Sequence, residues 1–401
     1  MQKRKLNKKR FFTVLLVLII TVLIVGLALN RDRLGLVKES PSPAPTDSNI
    51  SEPPAQTNEP AQTETASPEP VEDPEETKAP KDPRDNLVIR TDYEAFGPNE
   101  SGEIPIVMFH SLIEAYEENT EKEYTTTFAE FEALLQTLYD SGFRLISMSD
   151  YIECNISVPA GTMPMVFTFD DGTAGQFNLI EENGELKVNP KSAAGILMAF
   201  NEKHPDFGQH AMFYVNMDKG DKTFEGAGTL KERFEILLAQ GFELGNHTWG
   251  HVKYSEPVNN FSDKIQESLG KNQEKAYEII PNLEFYSLAL PYGHVPVNDD
   301  LKVFLEKGSY NGVEYENKSI MAVGANPAPA SISKNYNNGY VARIRAQGRV
   351  AVECDLTWWL PKMTQTRMFV SDGDPDTIVV PSDKAGNILE ERLNGKTLVT
   401  Y

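Results

Sequence analysis

Two adjacent carboxylates, Asp170 and Asp171, and two histidines four positions apart, His247 and His251, are the residues of this chain best suited to chemistry. One carboxylate and two imidazoles make up the ligand set of a catalytic zinc-type site that keeps a position open for water. The other carboxylate is then free to act as general base on that water. Each pair alone has an ordinary explanation. Asp170-Asp171-Gly172 is a common turn sequence, and a pair of histidines can sit on a surface or in a satisfied core. The chain has only 6 histidines, however, and this pair stands behind a strand end, as the carboxylates do. Taken together, the two pairs read as a metal hydrolase site.

The elements that must carry these residues are short and apolar. Met163 to Phe169 reads as a buried strand that ends at the carboxylates, and Phe242 to Leu244 as a strand that leads into the histidines. Consecutive residues on a strict strand face opposite ways, so Gly172 has to turn the chain if both aspartates are to share one cleft. On a helical turn, His247 and His251 at i and i+4 converge. Ile104 to His110 reads as a first buried strand. Thr127 and Glu130 form a capping box for a helix with Phe128, Phe131, Leu134, Leu135 and Leu138 on one face, and Gly142 ends it. A strand over Phe143 to Ser147, a helix over 190–203 and a strand over Ala211 to Val215 follow. Thr229 and Glu232 cap a further helix that Gly241 terminates. Leu283 to Leu290 leads into Pro291-Tyr292-Gly293, whose backbone N–H groups are placed to stabilise an oxyanion. Repeated βα units predict a parallel sheet, open or closed into a barrel, with its chemistry at the carboxyl ends of the strands. Beyond residue 300, Gly312 to Gly324 suggests a strand pair, and Met368 to Val370 and Thr377 to Val380 suggest terminal strands. Trp358, Trp359, Tyr336 and Tyr340 are either a sugar-stacking surface or core packing.

The whole chain bounds the setting. With 38 Lys plus Arg against 59 Asp plus Glu, its net charge of −21 excludes the basic footprint of a nucleic-acid partner. Residues 1–10 form a basic tip, and 11–29 are apolar, uncharged and long enough to cross a bilayer as an uncleaved signal anchor. The positive-inside rule then keeps the tip cytoplasmic and exports the rest, giving a single-pass protein of the cell membrane with an extracellular domain. Residues 30–86 read as a disordered linker rich in Pro, Glu, Ser and Thr, and 87–401 as the catalytic domain with a C-terminal extension. Cys154 and Cys354 match no metal spacing and read as unpaired thiols.

Thr168-Phe169-Asp170-Asp171-Gly172 and His247-Thr248-Trp249-Gly250-His251 resemble, in order and spacing, the first two motifs of the polysaccharide deacetylases with a NodB homology domain, carbohydrate esterase family four. The resemblance spans about residues 100–300 and implies a distorted (β/α) barrel, usually of seven strands. It further implies removal of N-acetyl groups from peptidoglycan or a surface glycan. By that resemblance Asp170 is the base, while Asp171, His247 and His251 hold a divalent metal, zinc or similar. The Tyr292 backbone N–H then serves the oxyanion. Three features depart from the family. Its third-motif Arg falls on Ala289. The carboxylate expected before Trp358, which pairs with that Arg, is Thr357 in the run Asp355-Leu356-Thr357-Trp358-Trp359. Both partners of a buried ion pair are therefore expected to be absent together. The C-terminal Leu-x-His that supplies the general acid is missing, which leaves His294, His110 or Asp170 itself to protonate the leaving amine. These departures keep two other readings open: a glycan-binding protein with a vestigial metal site, and a metal-dependent O-acetyl esterase.

Overall fold

The computed structural model describes residues 87–401, so the expected span at 11–29 and linker at 30–86 lie outside the described residues. Among the described residues no helix is long and apolar enough to cross a membrane. Seven strands make one curled parallel sheet: β1 (Ile106–Phe109), β2 (Met163–Asp170), β3 (Met212–Val215), β4 (Glu243–Asn246), β5 (Ser287–Ala289), β6 (Ser319–Met321) and β7 (Ile344–Arg345). They lie in the order β6-β5-β4-β3-β2-β1-β7, so each of the first five neighbours its successor in the chain. The run from Val341 to Arg345 spans the seam, with Val341 bridged to Met321 of β6 and Ile344 paired with Val107 of β1.

Alternation along the strands sorts side chains onto two faces. Outward, Phe109, Phe169 and Phe213 occupy one register line across β1, β2 and β3. Their rings stack in turn at centroid distances of 5.0 and 4.8 Å. They join the core formed with α1 (Phe128–Asp140), α2 (Ala193–Lys203) and α3 (Leu230–Ala239) through Phe131, Leu197 and Phe234. Inward, Val166, Met212, Tyr214, Ala289 and Met321 form a second cluster. Polar hydroxyls join them there, the Tyr214, Ser287 and Ser319 groups linked in a chain at 2.7 and 2.8 Å.

Both predicted capping boxes form, at Thr127–Glu130 and Thr229–Glu232. Several sequence boundaries shift for local reasons. The first strand breaks at Pro105, where a ladder donor is missing, and Glu103–Ile104 pairs instead with Ala328–Pro329. The helix expected from 190 starts at Ala193, because Ser192 caps it. Phe143–Leu145 pairs only with the start of β2. The stretch from Gly312 to Gly324 is not one strand pair. Val313–Glu316 turns back on Lys307–Tyr310, and Ser319–Met321 enters the main sheet. Met368 and Val370 make only isolated bridges, whereas Thr377–Val380 pairs with Thr397–Thr400. Cys154 and Cys354 are free thiols. Trp359 is buried with its indole N–H on the Ala325 carbonyl, and Tyr336 packs on Tyr151, so these two serve the interior.

Gly245 on β4 is small for a reason: a Cβ there would meet Tyr214 ring carbons at 2.6 Å. Gly245→Ala is expected to destabilise the domain by about 1–3 kcal/mol, the usual cost of overpacking a filled interior. A urea midpoint equal to the wild-type value would show that Tyr214 is free to move aside.

Candidate functional site

Asp170 is the last residue of β2 and is 1% exposed. Its two carboxylate oxygens each accept a 2.7 Å hydrogen bond from Arg343, one from each terminal nitrogen. Arg343 is fully buried at the seam, just before β7. It also donates to the Thr168 hydroxyl at 3.1 Å and, through Nε, to the Ala322 carbonyl at 2.9 Å. The pair expected to be absent, between positions 289 and 357, has no counterpart here, since those positions hold Ala and Thr; a different buried pair, which the sequence reading missed, holds Asp170 instead. The arginine is present, but it arrives on another strand, where no spacing rule relative to Asp170 could reveal it. Ala289 does take the place the resemblance reserves for Arg. Asp355 is no partner of that pair; it caps the short helix Leu356–Trp359 by accepting from the Trp358 N–H at 3.0 Å.

Asp171 carries the turn that Gly172 had been expected to make alone, with φ at +83° against +62° for the glycine. A left-handed non-glycine residue costs on the order of 1–3 kcal/mol, and here it swings the Asp171 carboxylate toward the histidines. Asp171 Oδ1 lies 3.6 Å from His247 Nε2 and 3.5 Å from His251 Nε2. The histidines converge without a helix. Thr248 and His251 have φ of +66° and +49°, and the Asn216 side-chain amide donates to the carbonyls of His247 and Thr248. The Trp249 N–H is held by Ser268 on α4 (Ser262–Ile279). Those bonds occupy the backbone groups that a helical turn would need.

The cluster fits a metal ion on three counts. His247 Nδ1 donates to the Ala289 carbonyl at 2.8 Å, which fixes the tautomer that leaves Nε2 with its lone pair. His247 Nε2 is buried with no partner. Four ligands at about 2.1 Å in a tetrahedron lie roughly 3.4 Å apart, close to the spacing between Asp171 and each histidine. Tyr292, left-handed at φ +58°, has its ring 4.7 Å from that of His251, so the Pro291-Tyr292-Gly293 turn adjoins the cluster. His110, at the end of β1, places Nε2 4.0 Å from Asp170 Oδ2, and its Nδ1 is buried without a partner. His294 instead pairs with Ser255 at 2.9 Å on the exposed side of its loop.

Three supporting groups escaped sequence reading because side-chain amides and lysines carry no motif. Gln176, fully buried, ties the carbonyls of His110 and Asp170 together. Asn272 of α4 bridges the Val215 carbonyl and the Asn246 side chain, fixing the ends of β3 and β4. Lys219 donates to the Asp171 carbonyl at 2.8 Å.

Charge and burial compete throughout the site. Burial opposes ionisation of Asp170, but Arg343 and the neighbouring histidines outweigh it and hold the carboxyl well below its usual range. Burial pushes the imidazoles of His110, His247 and His251 below their usual value despite the nearby aspartates.

A curled parallel sheet with carboxylates and imidazoles gathered at the carboxyl ends of its strands defines an α/β protein with a candidate metal site. Residues 158–308 match the family model described as polysaccharide deacetylase. The chain is similar to a polysaccharide deacetylase structure from Bacillus cereus at 19% identity and TM-score 0.47, covering 65% of this chain and 69% of that one. It is also similar to a Streptococcus pyogenes deacetylase in complex with acetate, at 17% identity and TM-score 0.48, covering 65% of this chain and 98% of that one. A third similar structure is IcaB from Ammonifex degensii, at 16% identity and TM-score 0.43, with 62% and 94% covered. No curated protein matches the chain.

Removing one member of a buried ion pair strands the other, at about 3–5 kcal/mol. Arg343→Met is expected to cost that much in urea unfolding, and Asp170→Asn combined with Arg343→Met less than the sum of the two single changes. Strict additivity in the cycle would deny the pairing. A second expectation concerns pH. In chelator-treated protein the three depressed histidines stay neutral when folded, whereas in the unfolded chain they take protons near their ordinary value of 6.5. Their contribution is therefore complete above that pH and is lost as pH falls through the lowered folded values. The urea midpoint should drop between pH 7.5 and 5.5; a flat profile would contradict the assignment.

Proposed function

We propose that this protein is a metal-dependent hydrolase that removes N-acetyl groups from a cell-wall or surface polysaccharide, tethered outside the cell membrane through residues 11–29. The observation that carries the reading is Asp170, buried, ionised and clamped by Arg343 beside the Asp171, His247 and His251 cluster. Asp171, His247 and His251 would hold a divalent ion, zinc or similar, which would supply Lewis-acid polarisation of the acetyl carbonyl and a more acidic water.

The remaining steps belong to the chain. Asp170 accepts the proton that water gives up as it attacks the carbonyl carbon. Arg343 keeps both carboxylate oxygens in place during that transfer. The Tyr292 backbone N–H supports the negative charge that develops on oxygen. As the C–N bond breaks, the proton passes to the leaving nitrogen, and a free amine and acetate result. His110, rather than the outlying His294, is the imidazole within reach of Asp170 and relays the proton in the absence of the family's C-terminal histidine. Arg343 weighs against a binding-only reading, which rested on the lost arginine at Ala289 and on the missing acid. The missing Leu-x-His keeps one second reading in view, O-acetyl ester hydrolysis, because an alkoxide leaves without a strong acid.

Acetate release from N-acetylglucosamine oligomers, set beside O-acetylated glycan, tests this reading. Release is expected to stop with chelator and to fall by about 10²–10⁴-fold in Asp170→Asn. His247→Ala should lose the bound ion. Undiminished activity in Asp170→Asn, or no release from either substrate by metal-loaded protein, would falsify the proposal.

A further inference from the structure

One short segment after β3 touches both halves of the candidate metal cluster. Asn216 holds the carbonyls of His247 and Thr248 on the β4 side. Three residues on, the Lys219 backbone N–H bonds the Asn216 carbonyl at 3.3 Å. The Lys219 side chain then reaches to the β2 side, where Nζ donates to the Asp171 carbonyl at 2.8 Å and lies 4.0 Å from Asp171 Oδ1. Since β3 lies between β2 and β4, this loop is the natural brace between their ends.

We infer that Lys219 is a positioning residue for the metal site: it pins Asp171 in its left-handed conformation so that the carboxylate faces the two histidines before any ion arrives. The inference rests on the metal-dependent reading above and assigns a residue outside its ligand set. A cation so close to an ion site has two opposed effects. It repels the incoming ion, and it pre-orders a ligand that would otherwise relax from a costly φ. Lys219 is 35% exposed, so water screens the repulsion. The hydrogen bond to the Asp171 carbonyl is direct and charge-assisted. Pre-ordering therefore outweighs repulsion, and loss of Lys219 should weaken binding.

The test is calorimetric titration of Zn²⁺ alone into the chelator-stripped full chain. Lys219→Met and Lys219→Gln are expected to weaken binding by about 10-fold or more, the usual cost of losing an outer hydrogen bond to a ligand. Lys219→Arg, which keeps a long cationic donor, should restore most of the affinity. Metal-free unfolding midpoints of all three should match wild type, which separates positioning from a general loss of stability. Equal or tighter zinc binding by both neutral variants overturns the inference, since repulsion then dominates. Failure of the wild-type chain itself to bind zinc overturns the metal-dependent reading and this inference with it.

Discussion

The ion pair between Asp170 and Arg343 is the constraint on which the rest of the site depends. Both groups are almost wholly removed from water, and each is tolerable there only because of the other. Arg343 spends four of its five N–H donors here, two on Asp170, one on the Thr168 hydroxyl and one on the Ala322 carbonyl, which fixes its orientation. A carboxylate held on both oxygens cannot rotate, and burial makes its charge act at full strength on the neighbouring imidazoles. The pair also joins the end of β2 to the seam at β7, so the same contact that fixes the Asp170 carboxylate ties the two ends of the sheet's interior together.

Around that fixed point the site is made by departures from regular structure. Asp171, Thr248, His251 and Tyr292 all adopt positive φ without being glycine. Each sits in the first few residues after a strand, where the ladder no longer dictates direction. Such conformations persist only when neighbours over-determine them; the buried amides of Gln176, Asn216, Asn246 and Asn272 do so around Asp170 and the His247–Thr248 segment. The strain is local, and the bonds that hold it come from elements on either side.

This division explains what could be read from the chain. Capping boxes, apolar strand runs and the Asp-Asp-Gly and His-x-x-x-His spacings are local signals, and they gave the βα order and the cluster. Arg343 was invisible because its partner is 173 residues away and the pairing depends on sheet closure. The non-helical route between His247 and His251 was hidden for a similar reason, since i and i+4 spacing cannot tell a helical turn from a loop pinned by Asn216. Short strands such as Ser287–Ala289 were overextended because buried flanking residues look like strand in one dimension.

The relocated arginine also accounts for the alanine. Position 289 faces the interior of the curled sheet, in the same packed cluster as Tyr214 and Met321. Arg343 crosses that interior, with its guanidinium carbon 5.7 Å from the centre of the Tyr214 ring. A filled interior has no room for two long side chains aimed at one carboxylate, and a second guanidinium would add an unpaired buried charge. Once the arginine enters beside β7, residue 289 must be small; its backbone carbonyl, which any residue there would present, fixes the tautomer of His247. The alanine at 289 thus follows from where the pairing partner originates, and Asp170 keeps a bidentate guanidinium partner without an arginine there.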